Sequence, residues 1–325
     1  MASSGWSRIE SPFHPGELAI QARLGIKDRM DRQGRRMIRE YLTEQHQKFF
    51  AQLAYVIVGT VDELGLPWTS ILTGKPEFIA ILNDRTLKVR YETMPGDPLV
   101  NNLVVDADIG LLGIELSSRR RNRINGKVSA IDRLLGFEIT VKQSFGNCPQ
   151  YIQSRSFEFV EPNLDRSQQT SQQTVEISSF RESESNLITE ADTFFITTAY
   201  QDESAGIAKG VDVSHRGGKP GFVRIGDRKT LTIPDFSGNN HFNTLGNLEM
   251  NPATGLLFIN FKRGDLLYLT GTAEVIWSGL ELDRYTGAQQ LIRFHLDRGY
   301  LVRASLNLRW SNPKFSPFLE QTGSW

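Results

Sequence analysis

The chain has 325 residues, enough for two ordinary domains, and its 37 Lys and Arg balance its 37 Asp and Glu. That neutrality excludes the broad basic field of a general nucleic-acid binder and the acidic excess of a solvating, disordered chain, so any anion site must be local. Cys148, the single cysteine, cannot form an internal disulfide, no apolar run approaches the ~20 residues of a membrane span, and Met1 to Glu10 lacks the apolar centre of a signal peptide, so a cytoplasmic protein without membrane contact is expected.

Residues 26 to 52 are charged and helix-friendly, with Ile38, Tyr41 and Leu42 forming one apolar stripe. They predict a leading helix in an N-terminal arm over 1–50. From Leu53 the texture becomes short β-branched and aromatic runs separated by Gly, Pro, Asn and Asp, as in Tyr55 to Val58, Phe78 to Ile81 and Leu87 to Arg90. A Gln/Ser/Thr-rich stretch is too polar to order itself by burial and predicts a linker over 165–186 between a first β domain over 51–164 and a second over 187–325. The β texture then resumes in Thr193 to Thr197, Phe222 to Ile225 and Leu267 to Leu269.

The second half repeats the first. Gly74-Lys75-Pro76-Glu77-Phe78 meets Gly218-Lys219-Pro220-Gly221-Phe222, and Gly110-Leu111-Leu112-Gly113-Ile114 meets Gly255-Leu256-Leu257-Phe258-Ile259. Asn125-Gly126 meets Thr270-Gly271, and the shift stays near ~145 positions throughout. Matches kept in order at one shift predict an internal duplication, whose halves pack as an isologous dimer does, leaving a cleft between them.

Chemistry concentrates in two segments of the second half. Asp212 to Gly221 combines Ser214, His215, Arg216 and Lys219 with Gly217 and Gly218, so backbone amides and cationic side chains could approach a phosphate together. Pro234 to Asn243 holds Asp235, Gly238, Asn239, Asn240 and His241 before a short helix, whose N-terminus would favour an anion. The residues alone leave open that both are ordinary hairpin loops. His14, His46, His215, His241 and His295 show no i,i+4 pairing and no cysteine partner, so no metal site is expected; His215 and His241 are the candidates for proton donation. The run Arg119 to Arg123 lacks interleaved aromatics, which argues against nucleic acid and leaves a solvated turn or a cleft-facing role open. Cys148 reads as a small packing residue.

The motifs Ser214-x-Arg216-Gly217-Gly218-Lys219-Pro220-Gly221-Phe222, Ile233-Pro234-Asp235-x-x-Gly238-Asn239-Asn240 and Asn251-Pro252-x-x-Gly255 resemble the pyridoxamine 5′-phosphate oxidase-like, FMN-binding split-barrel family, in its duplicated, predicted flavin-nucleotide-binding branch. The resemblance implies a mainly β fold with accessory helices, two tandem split β-barrels forming an intrachain pseudo-dimer, with FMN between them. It implies phosphate contacts from Ser214, Arg216, Gly217, Gly218 and Lys219, with Pro234, Asp235, Gly238, Asn239 and Asn240 in the next loop and Arg309 and Trp310 near the ring. The first half lacks the arginine, and Asp97 would repel phosphate, so one FMN per chain is expected. An FMN-dependent oxidoreductase acting with an unidentified small molecule or electron donor is the leading expectation. A non-catalytic flavin-binding or sensing protein and a haem-binding split barrel remain open, as does a homodimer of pseudo-dimers. Asn307-Leu308-Arg309-Trp310 lacks the proline of the true oxidases' substrate-recognition pattern.

Overall fold

The structure, a computed structural model, describes residues 5–325 except 93, 95, 133–135 and 161–173. The N-terminal arm holds three short helices, α1 (Pro15–Arg23), α2 (Lys27–Met37) and α3 (Glu44–Ala51), where one long helix was expected across 26–52. The break has a backbone cause. Ile38 turns extended, Arg39 and Ser144 exchange amide-to-carbonyl hydrogen bonds, the Leu42 amide bonds the Asp84 carbonyl, and Thr43 caps α3 by accepting from the His46 amide. Arg39 to Leu42 therefore spend their backbone groups on the barrel rather than on a helix.

The first barrel comprises β1 (Tyr55–Val61), β2 (Pro67–Thr73), β3 (Ile79–Asn83), β4 (Thr86–Val89), α4 (Leu99–Asn102), β5 (Asp108–Glu115), β6 (Arg120–Asp132) and β7 (Gly136–Gly146). After β8 (Phe157–Phe159) come β9 (Thr174–Ile177) and α5 (Glu182–Glu190), in the part of the expected linker that lies within the described residues. β9 pairs with the second barrel, so this stretch is held by backbone bonds that its composition does not announce. The second barrel comprises β10 (Thr193–Tyr200), β11 (Gly210–Gly217), β12 (Arg224–Ile225), β13 (Thr230–Phe236), α6 (Asn243–Met250), β14 (Ala253–Ile259), β15 (Leu266–Ile276), α7 (Leu280–Asp283) and β16 (Ala288–Val302). β17 (Leu308–Trp310) pairs with β8.

The two sheets have one topology. The first runs β2-β1-β5-β6-β7-β4-β3 and the second β11-β10-β14-β15-β16-β13-β12, each strand replaced by its counterpart. Even the irregularity is repeated: β6 shifts register between Asn125 and Gly126, and β15 between Thr270 and Gly271. At these bulges a Cβ on Gly126 would lie 2.4 Å from the Thr140 carbonyl, and one on Gly271 would lie 2.0 Å from the His295 carbonyl. The sequence match of Asn125-Gly126 with Thr270-Gly271 thus marks a shared bend of the barrel wall.

Each barrel has its own apolar core, and a third core lies between them, joining Ile57, Trp68, Ile71 and Leu112 of the first to Phe195, Val213, Leu257 and Tyr268 of the second. Closest approach occurs at a symmetric pair of glycines. A Cβ on Gly110 would lie 2.5 Å from the Val211 carbonyl, and one on Gly255 would lie 2.4 Å from the Pro67 carbonyl. Thr69 links the halves with a 2.6 Å hydroxyl contact to Thr197 and a hydrogen bond to the Gly255 carbonyl. The pseudo-dimer is therefore closely packed at its centre, and clefts open at its edges.

Candidate functional site

The cleft encloses about 110 Å³, and both barrels build it. On β11 alternate side chains share a face, so Ser214 and Arg216 point together toward the end of the second barrel. β13 delivers Pro234, Asp235 and Phe236, and the loop Ser237 to Asn240 continues the wall. α6 then starts beside it with Phe242 in the left-handed conformation and no side-chain cap. Its first residues, Asn243, Thr244 and Leu245, line the cleft, so a helix N-terminus with uncapped amides faces it. Thr244 donates to the Ser214 hydroxyl at 3.1 Å.

The opposite wall comes from the first barrel, and alternation along β6 divides its arginine run. Arg120 lies over the Phe49 ring on one face, while Arg121 and Arg123 line the cleft on the other. Arg121 donates from Nε to the Cys148 carbonyl at 2.6 Å and from Nη1 to the His215 carbonyl at 3.3 Å. Arg123 bonds Asp212 at 2.8 Å and also donates to the Ser214 hydroxyl, with the Phe145 ring beneath its guanidinium at 5.5 Å. Across the mouth, Asn239 donates to the Asn147 side-chain oxygen at 3.2 Å.

The cleft carries an excess of positive charge over negative. Arg121, Arg123 and Arg216 converge, balanced by two buried carboxylates, Asp212 and Asp235, the latter paired with Arg216. Burial pushes Arg121 down to about 10, and Arg123 and Arg216 push it the same way. Burial also lowers Arg123, against the pull of Asp212. Nε of Arg216 and Nδ2 of Asn147 are buried with no protein partner, although buried donors are normally satisfied. An incoming anion would relieve the mutual repulsion of the guanidinium groups and accept from the free donors.

Of the residues anticipated from sequence, the structure brings Ser214, Arg216, Gly217, Pro234, Asp235, Gly238, Asn239 and Asn240 to the cleft wall, together with His215. It places the others elsewhere. The Lys219 ammonium donates to the Thr322 carbonyl at 2.6 Å, because β11 ends at Gly217 and the chain turns toward the C-terminal segment. Gly218 packs against Phe222 outside the cleft. Arg309 donates to the Leu306 and Leu308 carbonyls, and Trp310 packs on Tyr55 and Phe261 in the inter-barrel core, so neither reaches the cleft. His241 is fully buried between Phe13 and Phe145 and pushed down to about 4 by burial, behind the loop rather than in the cleft. The His215 ring packs on Phe195, and burial followed by Arg121 and Arg216 drives it well below its ordinary range, so it is neutral near pH 7. Cys148, read as a core residue, is half-buried on the cleft wall with its thiol toward Gln150. Arg121, Arg123 and Thr244 lay outside the phosphate set; the signal for the arginines was their i,i+2 spacing on a strand.

The equivalent position in the first barrel keeps none of these three arginines, and the arginine on its wall, Arg298, is paired with Asp62 at 2.9 Å. Strand register sets Leu72 against Arg216, Leu266 against Arg121 and Tyr268 against Arg123. Ser70, the counterpart of Ser214, donates its hydroxyl to buried Asp97. Burial raises Asp97 to about 6, although Ser70 and the Leu99 amide favour its charge. A carboxyl raised on folding binds a proton more tightly folded than unfolded, so stability is fullest below about pH 4 and falls by about 3 kcal/mol as pH rises through about 6. Asp97→Asn should abolish that loss in denaturant unfolding at pH 4 to 7; an unchanged pH slope would show that Asp97 is not its source.

Residues 42–171 match the family model described as pyridoxamine 5′-phosphate oxidase. Three solved structures align along nearly their whole length with about two-fifths of this chain. HupZ from Group A Streptococcus is 15% identical with a TM-score of 0.31, covering 39% of this chain and 98% of its own. The FAD binding protein from Mycobacterium smegmatis is 10% identical at 0.27, covering 39% and 99%. General Stress Protein 26 from Bacillus anthracis is 12% identical at 0.23, covering 40% and 92%. No curated protein matches the chain.

Proposed function

We propose, for a chain whose residues 42–171 match the pyridoxamine 5′-phosphate oxidase family model, that the cleft binds one FMN and that the protein is an FMN-dependent oxidoreductase. The observation that carries this reading is the convergence of Arg121 and Arg123 from one barrel with Arg216, Ser214, Thr244 and the uncapped start of α6 from the other. Such a set suits a dianionic phosphate. Leu112, Tyr151, Phe236 and Leu245 give the remaining wall the apolar character that a planar ring needs. The free donors Arg216 Nε and Asn147 Nδ2 offer hydrogen bonds to ring or ribityl oxygens. Bound FMN would supply hydride or electron transfer, while this chain orients it and screens it from water. His215 offers its carbonyl to Arg121, while its ring lies on the other face of β11 against Phe195, where burial and the neighbouring arginines oppose its taking a proton.

Arg121 is the cleanest probe, because it contributes charge without carrying a salt bridge. Each charge-assisted contact is worth about 1.5–3 kcal/mol, so Arg121→Ala should weaken FMN by roughly 10- to 100-fold in a fluorescence titration. Riboflavin, lacking the phosphate, should bind weakly to both proteins and respond little. Equal FMN affinity in the variant would refute the phosphate assignment. For the oxidoreductase part, bleaching of bound FMN by NADH, NADPH or a reduced iron–sulfur protein is expected; FMN that stays oxidised with all three would favour a binding protein.

A further inference from the structure

In this neutral chain, positive charge gathers on one helix of the arm. Residues 23 to 39 hold seven basic side chains against Asp28 and Asp31, and the rest of the chain carries the compensating acidic excess. On α2 the inner face is Met30 and Gly34, both buried, and Arg29, Arg32 and Arg36 recur at i, i+3 and i+7 on the outer face, all exposed. Among the described residues these three make no ion pair, whereas Arg35 on the same helix is held by Asp31 at 2.8 Å. Three exposed, unpaired cations on one rigid face repel one another and leave an attractive surface for an acidic body.

The inner side of this helix leads to the cleft. Met30 packs with Phe13 and Phe145, both rings contact His241, and Phe145 underlies Arg123. One aromatic layer therefore separates the arginine face from the cleft's rear wall. We infer that the Arg29, Arg32 and Arg36 face of α2 docks the acidic surface of a small one-electron carrier protein that exchanges electrons with the cleft. The electron-transfer role rests on the proposed cofactor; the docking does not. In each encounter the reduced carrier would give up one electron, which a flavin held in the cleft would accept. A nucleic acid is disfavoured because no aromatic residue lies on the face to stack a base, and a membrane because the exposed apolar side chains nearby, Ile9, Leu24 and Met37, come from three separate places in the chain rather than from one apolar face.

The test immobilises the full chain and passes over it a strongly acidic plant-type [2Fe–2S] ferredoxin, with a DNA duplex and phosphatidylserine vesicles as comparators. Association with the ferredoxin should slow at least roughly tenfold between about 50 and about 300 mM salt. It should slow similarly in the triple variant Arg29→Glu, Arg32→Glu, Arg36→Glu, with the triple Gln variant between. Circular dichroism of the variants controls for folding. Unchanged binding by the triple Glu variant, salt-independent or absent association with ferredoxin, or tighter capture of the duplex or vesicles through these arginines would each overturn the inference. Loss of FMN binding with docking retained would fault the cofactor reading alone, and the converse would fault only the docking surface.

Discussion

Asp212→Ala is expected to lower the stability of the protein by about 3–5 kcal/mol, a drop in melting temperature on the order of 10 °C. Asp212 is almost fully buried and accepts from Arg123 at 2.8 Å, Asn125 at 2.9 Å and Asn247 at 2.8 Å, the first two from the opposite barrel. Its removal leaves the Arg123 charge, almost fully buried between the barrels, without its carboxylate partner. Breaking such a pair on one side costs far more than replacing both members with apolar groups. The double variant Arg123→Met with Asp212→Leu should therefore be more stable than Asp212→Ala, although it should bind FMN poorly because Ser214 loses its partner from the first barrel. Urea unfolding of the two proteins reads the difference. A cost below about 1 kcal/mol for Asp212→Ala would mean that water reaches the pair.

Gly110→Ala and Gly255→Ala should each cost about 3 kcal/mol or more, and by similar amounts. Each new methyl would meet a backbone carbonyl, of Val211 or of Pro67, at 2.5 Å or less, and a strand paired on its other side cannot retreat. Because the sites are counterparts across the pseudo-dimer, both substitutions push the barrels apart at the same interface. Gly238→Ala, which meets nothing within 4 Å, should stay within about 0.5 kcal/mol of wild type. Thermal unfolding of the three proteins suffices. A tolerated alanine at Gly110 with a costly one at Gly255 would show that the halves are not equivalent at their closest approach.

The duplication was legible because closely packed glycines cannot drift: Gly110 and Gly255 hold the interface and Gly126 and Gly271 the bulges, so their spacing survived in the sequence. The first strand was harder to align. Gly59 corresponds in register to Thr197, a shift of 138, and the longer β10–β11 hairpin brings the offset to 144 by Ile71 and His215. The second-barrel half of the cleft was legible through Ser214, Arg216 and Asn239, which lie on continuous strand and loop. Its other half was not, since a run of arginines does not reveal which face of β6 turns toward a partner barrel. Lys219, Arg309 and Trp310 misled for the same reason: a motif gives chemistry, but direction depends on where a strand ends and what covers it. The helix break at Ile38 and the pairing of β9 likewise depend on contacts made across the fold rather than on local propensity.

The asymmetry between the two halves is the core of the account. One cleft keeps three arginines, and its counterpart presents Leu72, Leu266, Tyr268 and a buried Asp97. Calorimetric titration of the purified full chain with FMN tests this directly. The account predicts a single saturable site per chain, lost in the Arg121→Ala, Arg216→Ala double variant and unaffected by Asp97→Asn; two sites per chain, or none, would contradict it.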